Sequence, residues 1–259
     1  MKERIITALC LLVVVLPLVY LGGWWFMGLG LMVTGVAVWE MMIMHDQLTK
    51  VPIWMKIPVV MATLGIVFVS NLAFALLVFV IQSLLLLIVY GVLKKINVET
   101  GFFYTQVLIY IGFSFRALLV IRSQSLPLFI LLIVTVILTD SGAYFTGRLF
   151  GKHKLAPKIS PKKTVEGAIG GWLAGVTFVF LFGLKQQLFT EMWILIVLAL
   201  GLPILSQIGD LVASALKRKY GIKDYGNIFP GHGGVMDRVD SQLLAGILLY
   251  VLLYFNGLG

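Results

Sequence analysis

The chain has 259 residues, of which 60% are hydrophobic and only 12% are charged, and its mean hydropathy is +1.04. This composition excludes a soluble globular protein, and the continuous apolar runs argue against the alternating strands of a transmembrane barrel. The net charge of +9 comes from basic residues in short polar segments, which indicates the positive-inside bias and phosphate binding rather than a nucleic-acid partner.

Continuous apolar segments of about 20 residues predict an all-α, polytopic membrane protein with about nine transmembrane helices. The predicted spans, numbered one to nine, are 5–21, 24–44, 53–70, 72–93, 102–121, 127–147, 167–184, 192–214 and 239–257. Span one follows two basic residues, as the apolar part of a signal peptide does. No small-residue cleavage site comes after it, so we interpret it as a retained span.

The segments between successive spans alternate between rich and poor in basic residues. The basic residues concentrate at the N-terminus and after spans two, four, six and eight, namely Lys2, Arg4, Lys50, Lys56, Lys94, Lys95, six residues within 148–163 and five within 217–238. The positive-inside rule therefore predicts a cytoplasmic N-terminus and an external C-terminus. Arg116, inside span five, has no explanation at this level.

The two halves of the chain differ in polarity. Residues 1–125 are apolar and are interpreted as scaffold and lipid-facing surface, whereas residues 126–259 hold most of the acids and most of the lysines and arginines. We predict that the second half is the catalytic region, with cytoplasmic loops at 148–166 and 215–238.

Asp140 and Tyr144 in span six and Arg148 just after it are spaced four residues apart and therefore lie on one helix face. Charged groups at membrane depth are usually functional, so we favour a substrate or metal site. The alternative is an Asp–Arg pair that ties helices together.

Span eight carries Ser206, Asp210 and Ser214 at the same spacing, and Lys217 continues that face. Oxygen ligands next to a cation suit Mg²⁺ beside a phosphate, because Mg²⁺ takes few carboxylates and completes its shell with phosphate and water. The alternative is that Asp210 only holds helices together.

A glycine-rich segment precedes span nine, and Asp237 and Asp240 follow it three residues apart. Gly231, Gly233 and Gly234 permit unusual backbone geometry and close approach of a ligand. Such a loop before a helix is expected to offer N–H groups to an anion, although no Walker motif is present.

The segment between spans six and seven is basic and contains Lys162 and Lys163, which we expect to neutralise phosphates. Membrane-surface electrostatics is the alternative, and it is the interpretation we prefer for the other lysines there. Gly167, Gly171 and Gly175 form a stripe that predicts close helix packing. The isolated His45 and His153 are interpreted as loop residues.

The 27 residues from Ser214 to Asp240, SALKRKYGIKDYGNIFPGHGGVMDRVD, resemble the signature of the phosphatidate cytidylyltransferases, also called CDP-diacylglycerol synthases. The stretches Asp140–Tyr144 and SPKKTVEG are similar to further motifs of that family, while the first 125 residues match only as apolar spans. The resemblance implies that CTP and phosphatidate give CDP-diacylglycerol and pyrophosphate at the cytoplasmic face of a bacterial inner membrane. It also implies Mg²⁺ with a second cation, the monovalent K⁺, beside it, and a homodimer.

On this resemblance, each residue receives an expected role. Asp210 and Asp237 hold Mg²⁺, and Ser214 and Asp240 shape its surroundings. The cations expected to bind triphosphate or lipid phosphate are Lys217, Arg218, Lys223 and Arg238, with Lys162 and Lys163 closing over the nucleotide. Asp140 and Tyr144 line the cavity, and Asp224, His232, Gly233 and Gly234 complete the substrate site. A lipid phosphate is largely dianionic at neutral pH, so His232 is not needed as a base.

Two other functions remain open from the residues. A CTP-dependent kinase of a lipid alcohol shares the membrane setting and the nucleotide but needs a general base for its hydroxyl acceptor. A transporter predicts acids near mid-membrane and interrupted spans, whereas the acids here crowd beside basic loops.

Overall fold

Helices account for nearly all of the secondary structure. The computed structural model describes residues 2–69, 71–91, 93, 96–229, 231 and 233–257, with the backbone alone at 2–6 and 8. The helices within these ranges are α1 (Lys2–Leu21), α2 (Gly23–Asp46), α3 (Ile53–Phe68), α4 (Leu72–Gly91), α5 (Val98–Gln124), α6 (Leu126–Phe150), α7 (Val165–Lys185), α8 (Met192–Lys219) and α9 (Met236–Phe255). Helix α5 contains a π-helical segment, Leu108–Phe113.

Each predicted span corresponds to one of these helices, which confirms the all-α, polytopic fold. In the described part of the chain, seven helices are long and apolar enough to cross a membrane. The stretch Leu9–Leu21 of α1 and the whole of α3 are apolar but shorter. Several boundaries differ from prediction by a few residues, and two of them affect the site: α8 continues to Lys219 and α9 already begins at Met236. Lys217 and Arg218 are therefore helical rather than in a loop.

A two-stranded antiparallel hairpin lies where the sequence predicts a basic loop. Strand β1 (Lys154–Ala156) pairs with strand β2 (Ser160–Thr164), with Lys154 opposite Thr164. Thr164 then ends the hairpin and caps α7, since its side chain accepts a hydrogen bond from Gly167 N at 3.2 Å. The basic residues of this segment are therefore held on an ordered hairpin.

The described residues form two units. The first comprises Met1–Leu119 and Tyr220–Arg238, apart from the undescribed positions. Its core includes Ile66 on α3 and Leu108 and Ile111 on α5, all fully buried. A Cβ added at Gly112 would lie 3.2 Å from Ile66 Cγ2, so glycine lets α3 and the π-helical segment approach closely.

Arg116, which the sequence left unexplained, is 2% exposed in the first unit. Its Nη1 donates to the carbonyl oxygen of Ile66 at 3.3 Å and to that of Val69. The last carbonyls of a helix have no partner within the helix. Arg116 therefore caps the C-terminal end of α3.

Other polar groups of the first unit also lie deeper than predicted. Lys56 is within α3, is 6% exposed and forms an ion pair with Asp46, although the charge pattern groups it with the loop after span two. His45 is likewise not in a loop: it lies in α2, is 3% exposed and packs 4.5 Å from the Phe103 ring. These residues are paired or packed because an isolated polar group is costly inside an apolar bundle.

The second unit comprises Val120–Lys219 and Val239–Gly259, again apart from undescribed positions. The predicted glycine stripe of α7 is confirmed as a packing surface, since Gly167, Gly171 and Gly175 are buried. A Cβ at Gly171 would lie 2.8 Å from Ala143 Cβ on α6, and one at Gly175 would lie 2.8 Å from Pro203 Cβ on α8. Helices α6, α7 and α8 are thus held at close range by small residues.

Helices α8 and α9 meet just as closely in the second unit. A Cβ at Gly209 would lie 2.7 Å from the carbonyl oxygen of Asp240. This contact places Asp240 of α9 against the part of α8 that carries Asp210. The functional division of the chain at residue 125 stays a prediction.

Candidate active site

The polar stripe of α8 begins in the protein interior. Ser206 is fully buried, Asp210 and Ser214 are half-buried, and Lys217 follows one turn later. The helix therefore leads from a buried apolar region to a cationic end, as the spacing of these residues predicts.

Lys163 and Asp210 form an ion pair that joins β2 to α8, and 27% of each side chain is exposed. Asp140 on α6 is accessible and lies within electrostatic range of both partners. Three segments singled out in the sequence thus converge in the second unit, with two carboxylates and one ammonium group.

A second pair joins α8 to α9. Lys217 Nζ lies 3.9 Å from Asp240 Oδ2, with side-chain exposures of 11% and 10%. Asp240 Oδ1 also accepts a hydrogen bond from Ser241 N at 2.8 Å. Lys217 and Asp240 are therefore more enclosed than Lys163 and Asp210, and less accessible to a ligand.

Other predicted residues of the second unit lie at its periphery. Arg218 Nε donates to the carbonyl oxygen of Ile159 at 3.3 Å, which links the end of α8 to the hairpin. Lys162 is exposed. Arg148 Nη1 donates to the Tyr144 hydroxyl at 3.3 Å, whereas the alternative interpretation of this helix face paired Arg148 with Asp140.

The segment from Tyr220 to Arg238 belongs to the first unit. Tyr220 is buried, and its ring centroid lies 5.7 Å from that of Phe103. Burial raises the pKa of the Tyr220 hydroxyl. Lys223, Asp224 and Arg238 are exposed. The segment is thus anchored at its beginning and presents charged side chains farther along.

A tight turn precedes α9. Phe229 N donates to the carbonyl oxygen of Gly233 at 3.0 Å, and Gly231 and Gly233 have φ angles of 73° and 82°. Side-chain-bearing residues rarely adopt such angles, which explains these two glycines. His232 lies outside the described residues.

Asp237 closes this turn. Its Oδ2 accepts hydrogen bonds from Tyr225 N at 2.8 Å and from Gly234 N at 3.0 Å. The next two backbone N–H groups, of Val235 and Met236, donate to the carboxylate of Glu40. The expectation that this stretch offers N–H groups to an external anion is therefore not met at residues 234–236, because carboxylates of the protein occupy them.

Glu40 contributes to this turn, although the sequence did not single it out. It lies in α2, within the half interpreted as scaffold, and is 3% exposed. The available signal was its position, since a single acid within an apolar span requires a partner or a function.

The carboxylates fit a hard divalent cation that relies on substrate for most of its ligands. Across the described residues there is no group of three or more His, Cys, Asp or Glu side chains that could hold a metal ion. Mg²⁺ needs only one or two carboxylates when phosphates and water complete its octahedral shell. Asp210, with Asp140 nearby, supplies donors of that kind, and the lysines supply charge for phosphates.

Fold and site together define an integral membrane protein with a cluster of carboxylates and lysines suited to anionic phosphate groups. The chain matches the model of the Cytidylyltransferase family over residues 2–256. It is 39% identical over 268 residues to the phosphatidate cytidylyltransferase of Bacillus subtilis, covering 98% of this chain and 97% of that protein. It is 35% identical over 265 residues to the phosphatidate cytidylyltransferase of Staphylococcus saprophyticus, covering 98% and 99%.

The chain therefore belongs to the cytidylyltransferase family and is a nucleotidyltransferase. The resemblance noted in its sequence is confirmed over almost its whole length rather than at the signature alone. The lipid-alcohol kinase and the transporter lose their support, because neither is a nucleotidyltransferase.

Proposed function

We propose that this enzyme transfers CMP from CTP to phosphatidate, giving CDP-diacylglycerol and pyrophosphate. The observation that carries the proposal is the pair of lysine–carboxylate contacts on α8, Lys163–Asp210 and Lys217–Asp240. They occur in a chain that matches relatives named phosphatidate cytidylyltransferase over 98% of its length. Both substrates are phosphate anions, so a site for this reaction needs cations beside ligands for a metal.

The chemistry is a displacement at the α-phosphorus of CTP. An oxygen of the lipid phosphate forms the new P–O bond, and the bond from the α-phosphorus to the bridging oxygen of the β-phosphate breaks. Pyrophosphate leaves with that electron pair. A phosphate monoester has a second pKa of about 6, so the nucleophile is already deprotonated and needs no strong base. The main problem is the repulsion between two anions.

The two lysines are suited to different tasks. Lys163 is 27% exposed on a hairpin, so it can exchange Asp210 for a phosphate oxygen when CTP arrives. Lys217 is only 11% exposed and remains beside Asp240, where it neutralises a buried carboxylate. We infer that Lys163 is the mobile phosphate ligand and that Lys217 fixes the electrostatics of the α8–α9 contact.

Asp210 and Asp237 are the residues we propose to hold Mg²⁺, on the basis of the signature and of carboxylate chemistry. The cation would neutralise phosphate charge and polarise the α-phosphoryl group. Asp140 adds negative charge beside Asp210 and favours binding of a cation there. K⁺ as a second cation and a homodimer stay predictions.

The active site is proposed to face the cytoplasm. The hairpin between α6 and α7 and the end of α8 carry most of the lysines of the second half, and the positive-inside rule assigns such segments to the cytoplasmic side. CTP would then enter from water and the lipid from the inner leaflet of a bacterial inner membrane.

Separately labelled CTP tests the reaction. Purified enzyme is given phosphatidate, Mg²⁺ and CTP labelled at the α or the γ phosphate. We expect the α label in the lipid and the γ label in released pyrophosphate. Transfer of the γ label to a supplied lipid alcohol would instead show a kinase, and no transfer of either label would overturn both assignments.

Asp237→Asn tests the role of its charge. The amide oxygen of asparagine can take the place of Oδ2 and still accept from Tyr225 N and Gly234 N, so the turn is retained. Loss of a metal ligand should lower kcat by at least about 100-fold with little change in thermal midpoint. Glu191→Gln, at an exposed glutamate, is the control. Near-normal turnover of the Asp237→Asn enzyme would contradict the metal assignment.

Maleimide labelling in intact cells tests the orientation. After Cys10, the single cysteine, is replaced by Ala, a cysteine is placed at exposed Lys158 or at exposed Gln186. A membrane-impermeant maleimide should label Gln186→Cys in intact cells and Lys158→Cys only after lysis. The reverse pattern would place the hairpin outside the cytoplasm.

A further inference from the structure

Glu40 makes the contacts of a residue that holds catalytic groups in place. Its Oε1 accepts a hydrogen bond from Val235 N at 3.0 Å, and its Oε2 accepts one from Met236 N at 2.9 Å. The donors lie at the start of α9, where backbone N–H groups have no partner within the helix. A carboxylate there is also stabilised by the helix dipole.

The same carboxylate explains two further glycines of the signature. A Cβ added at Gly234 would lie 2.6 Å from Glu40 Cδ, and one at Gly226 would lie 3.0 Å from the same atom. Neither glycine has a positive φ, in contrast to Gly231 and Gly233. Gly226 and Gly234 therefore leave room for the Glu40 carboxylate, whereas Gly231 and Gly233 provide a backbone conformation.

Glu40 and Asp237 together accept hydrogen bonds from one stretch of backbone. Three successive N–H groups each donate to a carboxylate: that of Gly234 to Asp237, and those of Val235 and Met236 to Glu40. A shift of this stretch moves the Asp237 carboxylate with it, because Gly234 N is one of the two donors that hold Oδ2.

From these contacts we propose that Glu40 is a positioning residue for the transfer reaction: its buried carboxylate fixes the turn and the first turn of α9, and thereby the place of Asp237. The N-terminal half thus contributes to the active site through the side chain of Glu40. The kinetic part of this inference rests on the proposed function, whereas the structural part does not.

The first test is hydrogen–deuterium exchange of the purified protein without Mg²⁺. Glutamine at position 40 keeps the volume of the side chain but has one acceptor oxygen for two donors. Glu40→Gln should therefore speed exchange of at least one amide among Val235 and Met236 by about tenfold, and leave peptides from α7 unchanged. Glu191→Gln is the matched control, since it makes the same substitution at an exposed site.

The second test is kinetic. The amount of Mg²⁺ needed for half-maximal rate should rise by about 10-fold or more in Glu40→Gln and kcat should fall, as when supports of metal ligands are lost. Glu40→Ala should be worse than Glu40→Gln, and Glu191→Gln should match the wild-type enzyme.

The outcomes separate the two proposals. The positioning role is overturned if exchange at residues 235 and 236 is unchanged in Glu40→Gln. It is also overturned if exchange becomes faster over the whole first unit while the Mg²⁺ dependence and the kcat per folded enzyme are unchanged. If wild-type enzyme forms no CDP-diacylglycerol, the proposed function fails, and the exchange experiment still decides whether Glu40 holds the turn. If Glu40→Ala does not fold, Glu40→Gln decides alone.

Discussion

The hydrogen bonds between the Glu40 carboxylate and the start of α9 are the interaction on which the arrangement of the signature segment depends. A buried carboxylate is tolerated only when donors replace the water that it loses. The first backbone N–H groups of a helix are donors that need an acceptor. Each side therefore satisfies a requirement of the other, and the consequence is a fixed entry into the helix that carries Asp237.

In the second unit, partners likewise stabilise charged side chains that are partly removed from water. Lys163 meets Asp210 and Lys217 meets Asp240, while glycines on α7 and α8 let the helices approach closely enough for these pairs to form. Pairing keeps the charges stable in an apolar protein before substrate arrives. An accessible pair such as Lys163–Asp210 can also be opened by a phosphate and a metal ion, which suits a nucleotidyltransferase.

Much of this could be predicted from the sequence. The nine apolar runs predicted the helices, since hydropathy over about 20 residues is the strongest signal a membrane protein carries. The signature from Ser214 to Asp240 predicted the family. The acids of α6 and α8 were recognised because charged residues are rare in such helices.

What could not be predicted depends on contacts between distant segments. Glu40 lies almost 200 positions before its donors, so no local spacing connects them. Arg116 and Lys56 likewise gained a meaning only through partners on other parts of the fold. The hairpin at 154–164 was not predicted, because two short strands resemble a polar loop in composition. Each of these features depends on a contact between particular residues, whereas the sequence pattern reports only the periodicity of hydrophobic residues.

The most direct test of the central claim, that the Glu40 carboxylate fixes the signature turn, is a double-mutant cycle between Glu40→Ala and Gly226→Ala, followed by thermal midpoint in detergent. A Cβ at position 226 clashes with the Glu40 carboxylate and has more room once that carboxylate is removed. We predict that Gly226→Ala lowers the midpoint by several degrees in the wild-type background and by little in Glu40→Ala, a coupling of about 1–3 kcal/mol. Additive effects of the two substitutions would contradict the account.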